Sequence, residues 1–172
     1  MVSDEEINEI KKKLEDHEKR IKKLEEPFEQ EKEMPLKDTG VDIEDVILKF
    51  SKEAEIKEEQ VRNVFVFDKN DLNLKISVCG ESEAEKQFKA TVCILTAYHY
   101  CYGKDEIKSR DLRKKLKWLG IGSLGNLNQT FEEYKQFIIP VGIPSSTNFS
   151  YKINLPGIKE GLKTIKELAE AK

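Results

Sequence analysis

The 172-residue sequence lacks the marks of a membrane, disulfide-bonded or metal-binding protein. No apolar run approaches the roughly 18–20 residues of a membrane span. The opening MVSDEEINEI is acidic and has no apolar signal core, so we expect no secretory signal and a cytoplasmic protein. The cysteines, Cys79, Cys93 and Cys101, are odd in number and show no CxxC spacing. They indicate buried or partly buried free thiols.

Catalytic motifs are also missing from the sequence. It contains no phosphate-binding P-loop, no H-E-x-x-H and no nucleophile elbow. Gly120, Gly122 and Gly125 fit the G-x-G-x-x-G spacing, but a lysine-rich segment precedes them where a dinucleotide site needs a strand. His99 has no acidic or cysteine partner at a usual ligand spacing. We therefore predict no catalytic residues, no metal, no cofactor and no enzymatic activity.

Charge is unevenly distributed along the chain. The net charge of −3 combines −4 over residues 1–34, −4 over 35–81 and +5 over 82–172. Apolar residues are scarce at 38% and charged residues abundant at 37%, which indicates one modest core with solvated helices around it. The positive balance over residues 82–172 supplies the local positive field that phosphate binding requires.

Residues 1–26 have the heptad rhythm of a short coiled-coil helix. In this register Lys13 lies opposite Glu18 of a parallel partner, and Arg20 opposite Glu25. Three heptads are marginal on their own, and the alternative is a single solvated helix. We expect oligomerisation through apolar seam positions, with His17 as a polar residue among them. These positions are Ile7, Ile10, Leu14, Ile21 and Leu24.

Residues 27–81 divide into a linker and a small extension. Prolines, glycine and charges over 27–41 are typical of a linker. Over 42–81 we predict a helix capped by Asp42, a second helix near 58–65 and a strand over 72–78. The segment is too small for its own core, so we expect it to pack on the domain formed by residues 82–172.

Residues 82–172 form the predicted main domain. Ser82 and Glu85 make a capping box for a long helix that ends at Gly103, and ATVCILTAYHYCY marks it as central and buried. Two shorter helices are predicted near 109–119 and 123–135, capped by Ser109 and Ser123 and separated by glycines. A β-hairpin near 137–155 places Phe149, Tyr151, Ile153 and Leu155 on one face, and a final helix covers 158–170.

The order helix, helix, turn, helix, β-hairpin, helix resembles the winged helix-turn-helix superfamily over residues 82–172. The second hairpin strand, YKINLPG, is similar to the Y-x-L-T-x-x-G ending of these regulators, although Asn154 and Leu155 depart from it. The fold class we expect is mainly α with a small β-hairpin (α+β), preceded by the coiled-coil helix.

The resemblance implies a transcriptional regulator that reads duplex DNA with the helix near 123–135. Residues implied to contact the DNA backbone are Arg110, Arg113, Lys114, Lys117 and Lys152, with Lys115 on the same basic helix. Residues implied to read bases are Ser123, Gly125, Asn126, Asn128 and Gln129, since Asn and Gln can bond adenine.

Two features of the sequence oppose this interpretation. Glu132 and Glu133 would repel phosphates, and the hairpin tip, residues 143–148, contains no Arg or Lys. The alternative is a winged-helix protein-interaction module that recruits a protein partner as a scaffold or adaptor. A further alternative is that the basic helix is an ordinary solvated face.

The heptads and the apolar C-terminal helix predict a homodimer. Ultracentrifugation of the full chain should give a dimer at tens of micromolar, and a chain beginning near residue 36 identifies the interface. If only the shorter chain is monomeric, the coiled coil is the interface. Monomers of both chains would contradict the prediction.

Overall fold

The computed structural model describes residues 42–68, 71–144, 146 and 148–171. The linker and coiled-coil predictions, with seam residues Ile7, Ile10, Leu14, Ile21 and Leu24, lie outside these ranges. The described chain is mainly helical with small antiparallel sheets, an α+β fold. No helix within these ranges is long and apolar enough to cross a membrane.

The described elements follow one another in a simple order. The helices are α1 (Ile43–Ala54), α2 (Glu58–Val64), α3 (Glu83–Tyr102), α4 (Ser109–Trp118), α5 (Leu127–Glu133) and α6 (Leu155–Glu170). The strands are β1 (Phe65–Asp68), β2 (Asp71–Leu74), β3 (Glu106–Lys108), β4 (Ile138–Val141) and β5 (Ser150–Ile153). A 3-10 turn at Leu124–Asn126 precedes α5.

Two antiparallel sheets flank the helices. β1 pairs with β2, with Phe65 opposite Leu74. The second sheet has the order β3-β5-β4, and Tyr151 at its centre lies opposite both Ile107 and Pro140. The predicted 137–155 hairpin is confirmed, whereas β1 and β3 were missed because each is only three or four residues long.

The central helix α3 organises the core as predicted. Ser82 Oγ accepts a hydrogen bond from the Glu85 backbone N–H at 3.1 Å, and Gly103 ends the helix at φ +65°. All residues from Ala90 to Tyr98 are buried. Residues 42–68 and 71–74 share this core, since Phe50 stacks on Tyr100 of α3 at 5.5 Å.

Two predicted helix caps and the predicted start of the last helix are wrong, although α4 begins at residue 109 as predicted. Ser109 is the first residue of α4 and not its cap, because Lys108, with an extended backbone, holds the N-cap position. Ser123 lies at φ +54° and makes no capping bond. The last helix begins at Leu155, since Asn154 caps it through the Gly157 N–H at 2.9 Å. Leu155 is therefore outside the strand and 73% exposed.

Two of the three cysteines match the expectation of buried thiols. Cys93 and Cys101 are buried, and burial raises the pKa of Cys101 to about 12. Cys79 is exposed, which contradicts the prediction because it lies in the irregular segment between β2 and α3. A buried thiol with a raised pKa is a poor nucleophile.

The last helix approaches α3 through a glycine. A Cβ atom at Gly161 would lie 2.7 Å from the Val92 carbonyl oxygen and would overlap the Thr96 hydroxyl. The neighbours that would have to move are a backbone carbonyl and a buried side chain, not the flexible end of a surface side chain. Glycine at this position therefore sets the distance between α6 and α3.

We expect Gly161→Ala to lower the free energy of unfolding by about 1–3 kcal/mol, because overpacking outweighs the gain in helix propensity of up to about 1 kcal/mol. Urea unfolding followed by circular dichroism measures it. Gly125→Ala is the control, since nothing lies within 4 Å of the added Cβ. Equal stability of the two variants would contradict the close approach.

Candidate nucleic-acid interface

The outer face of α4 carries the exposed cations of the candidate interface. Arg110, Lys114 and Lys117 are exposed and recur every three or four residues, so they lie on one side of the helix. Lys114 contacts Asp111 at 3.3 Å. Leu112 and Leu116 are fully buried on the opposite side, as the apolar stripe predicted. The amphipathic pattern of α4 thus presents three cations to solvent.

The Arg113 side chain is bound by groups of its own chain. Its Nε donates to the Ser109 hydroxyl at 3.3 Å, and its NH1 donates to the Leu124 carbonyl. Both acceptors belong to this chain, and the side chain is half-buried. Arg113 therefore joins α4 to the 3-10 turn, a role that the sequence did not indicate.

The five predicted base-reading residues differ in their exposure. Ser123, Gly125, Asn126 and Gln129 are exposed. Asn128 is half-buried, and its side-chain oxygen accepts a hydrogen bond from the Tyr151 hydroxyl. The stretch is shorter than predicted, because α5 has seven residues and the 3-10 turn replaces its expected first turn.

Buried polar contacts fix this turn to α3. Gln87 is buried; its side-chain amide donates to the Gly122 carbonyl at 2.7 Å and accepts from the Thr130 hydroxyl at 2.9 Å. The Glu83 carboxylate accepts a hydrogen bond from the Gly122 N–H at 3.0 Å. The pKa of Glu83 is lowered, mainly by its hydrogen bond from Lys86 and then by this bond from Gly122. The turn between α4 and α5 is thus positioned by α3.

Acidic side chains lie beside the exposed amides. A shallow cavity of about 270 Å³ is lined by Glu83, Glu133, Asn126 and Gln129, among others. Glu132 and Glu133 are exposed, as the sequence suggested. In the hairpin Lys152 is exposed on β5, and the exposed residues of the opposite strand are apolar. Among α4, α5 and the hairpin, α4 therefore carries most of the exposed cations.

The structure contradicts the prediction that Lys115 faces outward with the other basic residues of α4. It is 7% exposed, and its ammonium donates to Asp71 Oδ1 at 2.6 Å, the Leu72 carbonyl at 2.7 Å and Asn73 Oδ1 at 3.2 Å. The signal was present in the sequence. Lys115 is three residues from Leu112 and four from Leu119, which places it at the edge of the buried stripe.

Asp71 is the counter-ion of this buried ammonium. Burial alone would raise the pKa of Asp71, but hydrogen bonds from Lys115 and Tyr98 outweigh it, and the pKa is lowered. Burial and the same carboxylate raise the pKa of Tyr98. The cluster is internally satisfied, which supports a structural role for its charges.

His99 contacts an acidic residue that the sequence spacing did not suggest. Its Nδ1 lies 2.5 Å from Asp105 Oδ1, just beyond the end of α3. The turn after Gly103 brings the two together across six positions. Among the described residues, no group of three metal-binding side chains is present. The pair links the end of α3 to the start of β3.

Comparisons with models of protein families, with curated proteins and with solved structures found no match.

We expect Asp71→Asn to lower the free energy of unfolding by about 1–2 kcal/mol at pH 7, a reduced value because Asp71 is half exposed. The folded-state pKa of Asp71 is depressed. The stabilisation is therefore fully present at pH values above about 3.9, the pKa of an aspartate in the unfolded chain. It is lost as the pH falls through the pKa of Asp71 in the folded state. Urea unfolding between pH 7 and pH 3 measures this. Exposed Asp68→Asn, on the same hairpin, is the control, and a pH-independent difference would contradict the assignment.

Proposed function

We propose that this chain is a winged-helix DNA-binding protein that acts as a transcriptional regulator. The observation that carries the proposal is the contact that joins α4 to the 3-10 turn before α5. Arg113 ties α4 to the Leu124 carbonyl, so the exposed cations of α4 and the exposed amides around α5 are neighbours. Such a surface offers phosphate contacts beside groups that can read base edges.

The order of elements supports the same proposal. Helix α3, helices α4 and α5 around a glycine-containing turn, the β4–β5 hairpin and α6 follow the order that the winged-helix resemblance implies. α1 packs on α3, and α2 on α6. The helix proposed to read DNA therefore remains uncovered by the described part of the extension.

The contacts divide into two roles in this proposal. Phosphates are contacted by the exposed cations of α4 and β5, and base edges by exposed residues of α5 and of the turn before it. Arg113 and Asn128 hold the surface together from inside. The phosphate set is Arg110, Lys114, Lys117 and Lys152; the base set is Ser123, Gly125, Asn126 and Gln129.

A protein-interaction module is the second candidate, and one observation favours it. Ile139, Val141 and Ile143 are exposed on or just after β4, an edge strand of its sheet. Apolar edge strands are common sites of strand addition by partners. In this alternative the hairpin binds a protein, and the N-terminal segment brings two copies together as a homodimer.

We expect duplex DNA to bind with an affinity that falls steeply with salt. Lys117→Ala should weaken binding to all sequences alike and lower the salt slope by about one per lost contact. Asn126→Ala should instead cost about 1–3 kcal/mol at a selected site and little on random DNA. Fluorescence anisotropy with labelled duplexes at several salt concentrations measures both effects.

Two further variants sharpen this test. Lys52→Ala removes an exposed lysine from α1, distant in sequence from the interface, and should leave binding unchanged. Glu132→Gln should tighten binding if this carboxylate lies near a phosphate. Absence of salt-dependent affinity near 50 mM salt in the wild type would remove the DNA proposal and favour the protein-interaction module.

A further inference from the structure

A groove of about 580 Å³ runs along α4 on the side of β2. Tyr98, Asp71 and Lys115 line it and are bonded to one another. Lys108 lies at the start of α4 and Trp118 at its end, a span of about 15 Å at the helical rise of 1.5 Å per residue. The volume of the groove is within the usual range of about 300–1,000 Å³ for ligand sites.

Trp118 is the chain's one tryptophan and is 60% exposed at one end of this groove. A single exposed apolar side chain is ordinary and by itself indicates nothing. Its surroundings are unusual, because Lys114 precedes it by one helical turn and Lys104 and Lys108 line the same groove. An exposed indole is therefore combined with three lysines.

The charges of the groove leave it positive. The buried ion pair of Lys115 with Asp71 cancels internally. Lys114 contacts Asp111 in an exposed pair, and such pairs are weak and give way to a competing anion at little cost. Lys104 and Lys108 face one acidic residue, Glu106, whose carboxylate accepts a hydrogen bond from Ser150. Arg110 and Lys117 extend the positive surface along the outer face of α4.

We propose that this groove binds single-stranded nucleic acid, with a base stacked on Trp118 and phosphates at Lys104, Lys108 and Lys114. Aromatic rings beside a cationic groove bind single strands because every base has a π-face and every linkage a negative charge. Bases within a duplex are already stacked, so a duplex cannot use the indole in this way. The choice of nucleic acid over an acidic peptide rests on continuity with the surface proposed for duplex DNA.

Tryptophan fluorescence, excited at a wavelength that the five tyrosines of the chain do not absorb, reports on Trp118 alone because it is the one tryptophan. Titration of the full chain with an oligo(dT) of about eight nucleotides should quench Trp118 saturably. Repeated at several salt concentrations, the titration should give a slope of log affinity against log salt of about −2. This value is the sum of about −0.7 for each of three phosphates on a single strand. Acrylamide quenching of the free protein establishes that the indole is accessible.

Variants assign the contacts, with anisotropy of a labelled oligo(dT) as the readout. Trp118→Ala should weaken binding about 5- to 150-fold, the equivalent of about 1–3 kcal/mol for one stacked base. Trp118→Phe should restore part of the affinity, since it keeps an aromatic face. Lys108→Ala should reduce the salt slope by about 0.7. The control Lys52→Ala should match the wild type.

Three results would overturn the proposal: an accessible Trp118 that oligo(dT) does not quench, equal affinity of Trp118→Ala and wild type, or quenching by polyglutamate in place of oligo(dT). The last would assign the groove to an acidic peptide. Failure here is distinguishable from failure of duplex binding. Asn126→Ala and Gln129→Ala impair only the duplex complex, and Trp118→Ala impairs only the single-stranded one.

Discussion

The buried ammonium of Lys115 joins α4 directly to β2 and to α3, elements whose apolar side chains also share one core. It lies on α4, is bonded to three oxygens of β2 and lies 5.4 Å from the ring of Tyr98 on α3. Leu72 and Phe67 form a non-hydrogen-bonded pair of the antiparallel ladder, so the backbone N–H and C=O of Leu72 point away from β1. Lys115 donates a hydrogen bond to this outward-pointing carbonyl, so it also satisfies part of the unpaired edge of β2. A buried charge is tolerated because all three of its protons have acceptors.

The position of α4 determines the position of the candidate interface. Once Lys115 is fixed toward β2, the helical period turns Arg110, Lys114 and Lys117 outward and leaves Arg113 toward the 3-10 turn. Ile121 and Leu124 pack this turn against the core, and Gln87 and Glu83 of α3 also bond to it through Gly122. Polar contacts specify orientation more narrowly than apolar ones, since a missed hydrogen bond inside the protein costs about 1–3 kcal/mol.

The electrostatic character of the surface constrains any nucleic-acid complex. Within the proposed interface the exposed cations lie mainly on α4, whereas Glu83, Glu132 and Glu133 border the exposed amides of α5. The tip of the hairpin offers no cation. Binding would therefore depend mainly on α4, and the carboxylates would oppose misplaced phosphates. Repulsion of this kind contributes to specificity as well as to lower affinity.

The sequence by itself determined the elements with strong periodicity or clear stop signals. Helix α3, the apolar stripe of α4 and the β4–β5 hairpin could be predicted because each spans at least two repeats of its own pattern and ends at glycine or a cap. The exposed cations of α4 followed from the same stripe, because the residues opposite a buried face are solvated.

Only the tertiary structure decided the partners of individual polar side chains. The stripe spacing places Lys115 at a buried edge, but its acceptors lie 42–44 positions away, and Arg113 and Asn128 have partners 11 and 23 positions away. Short strands such as β3 likewise exist because β5 is beside them. Periodicity reports which face of an element is buried, but hydrogen-bond partners depend on how distant elements meet, and no local pattern contains that information.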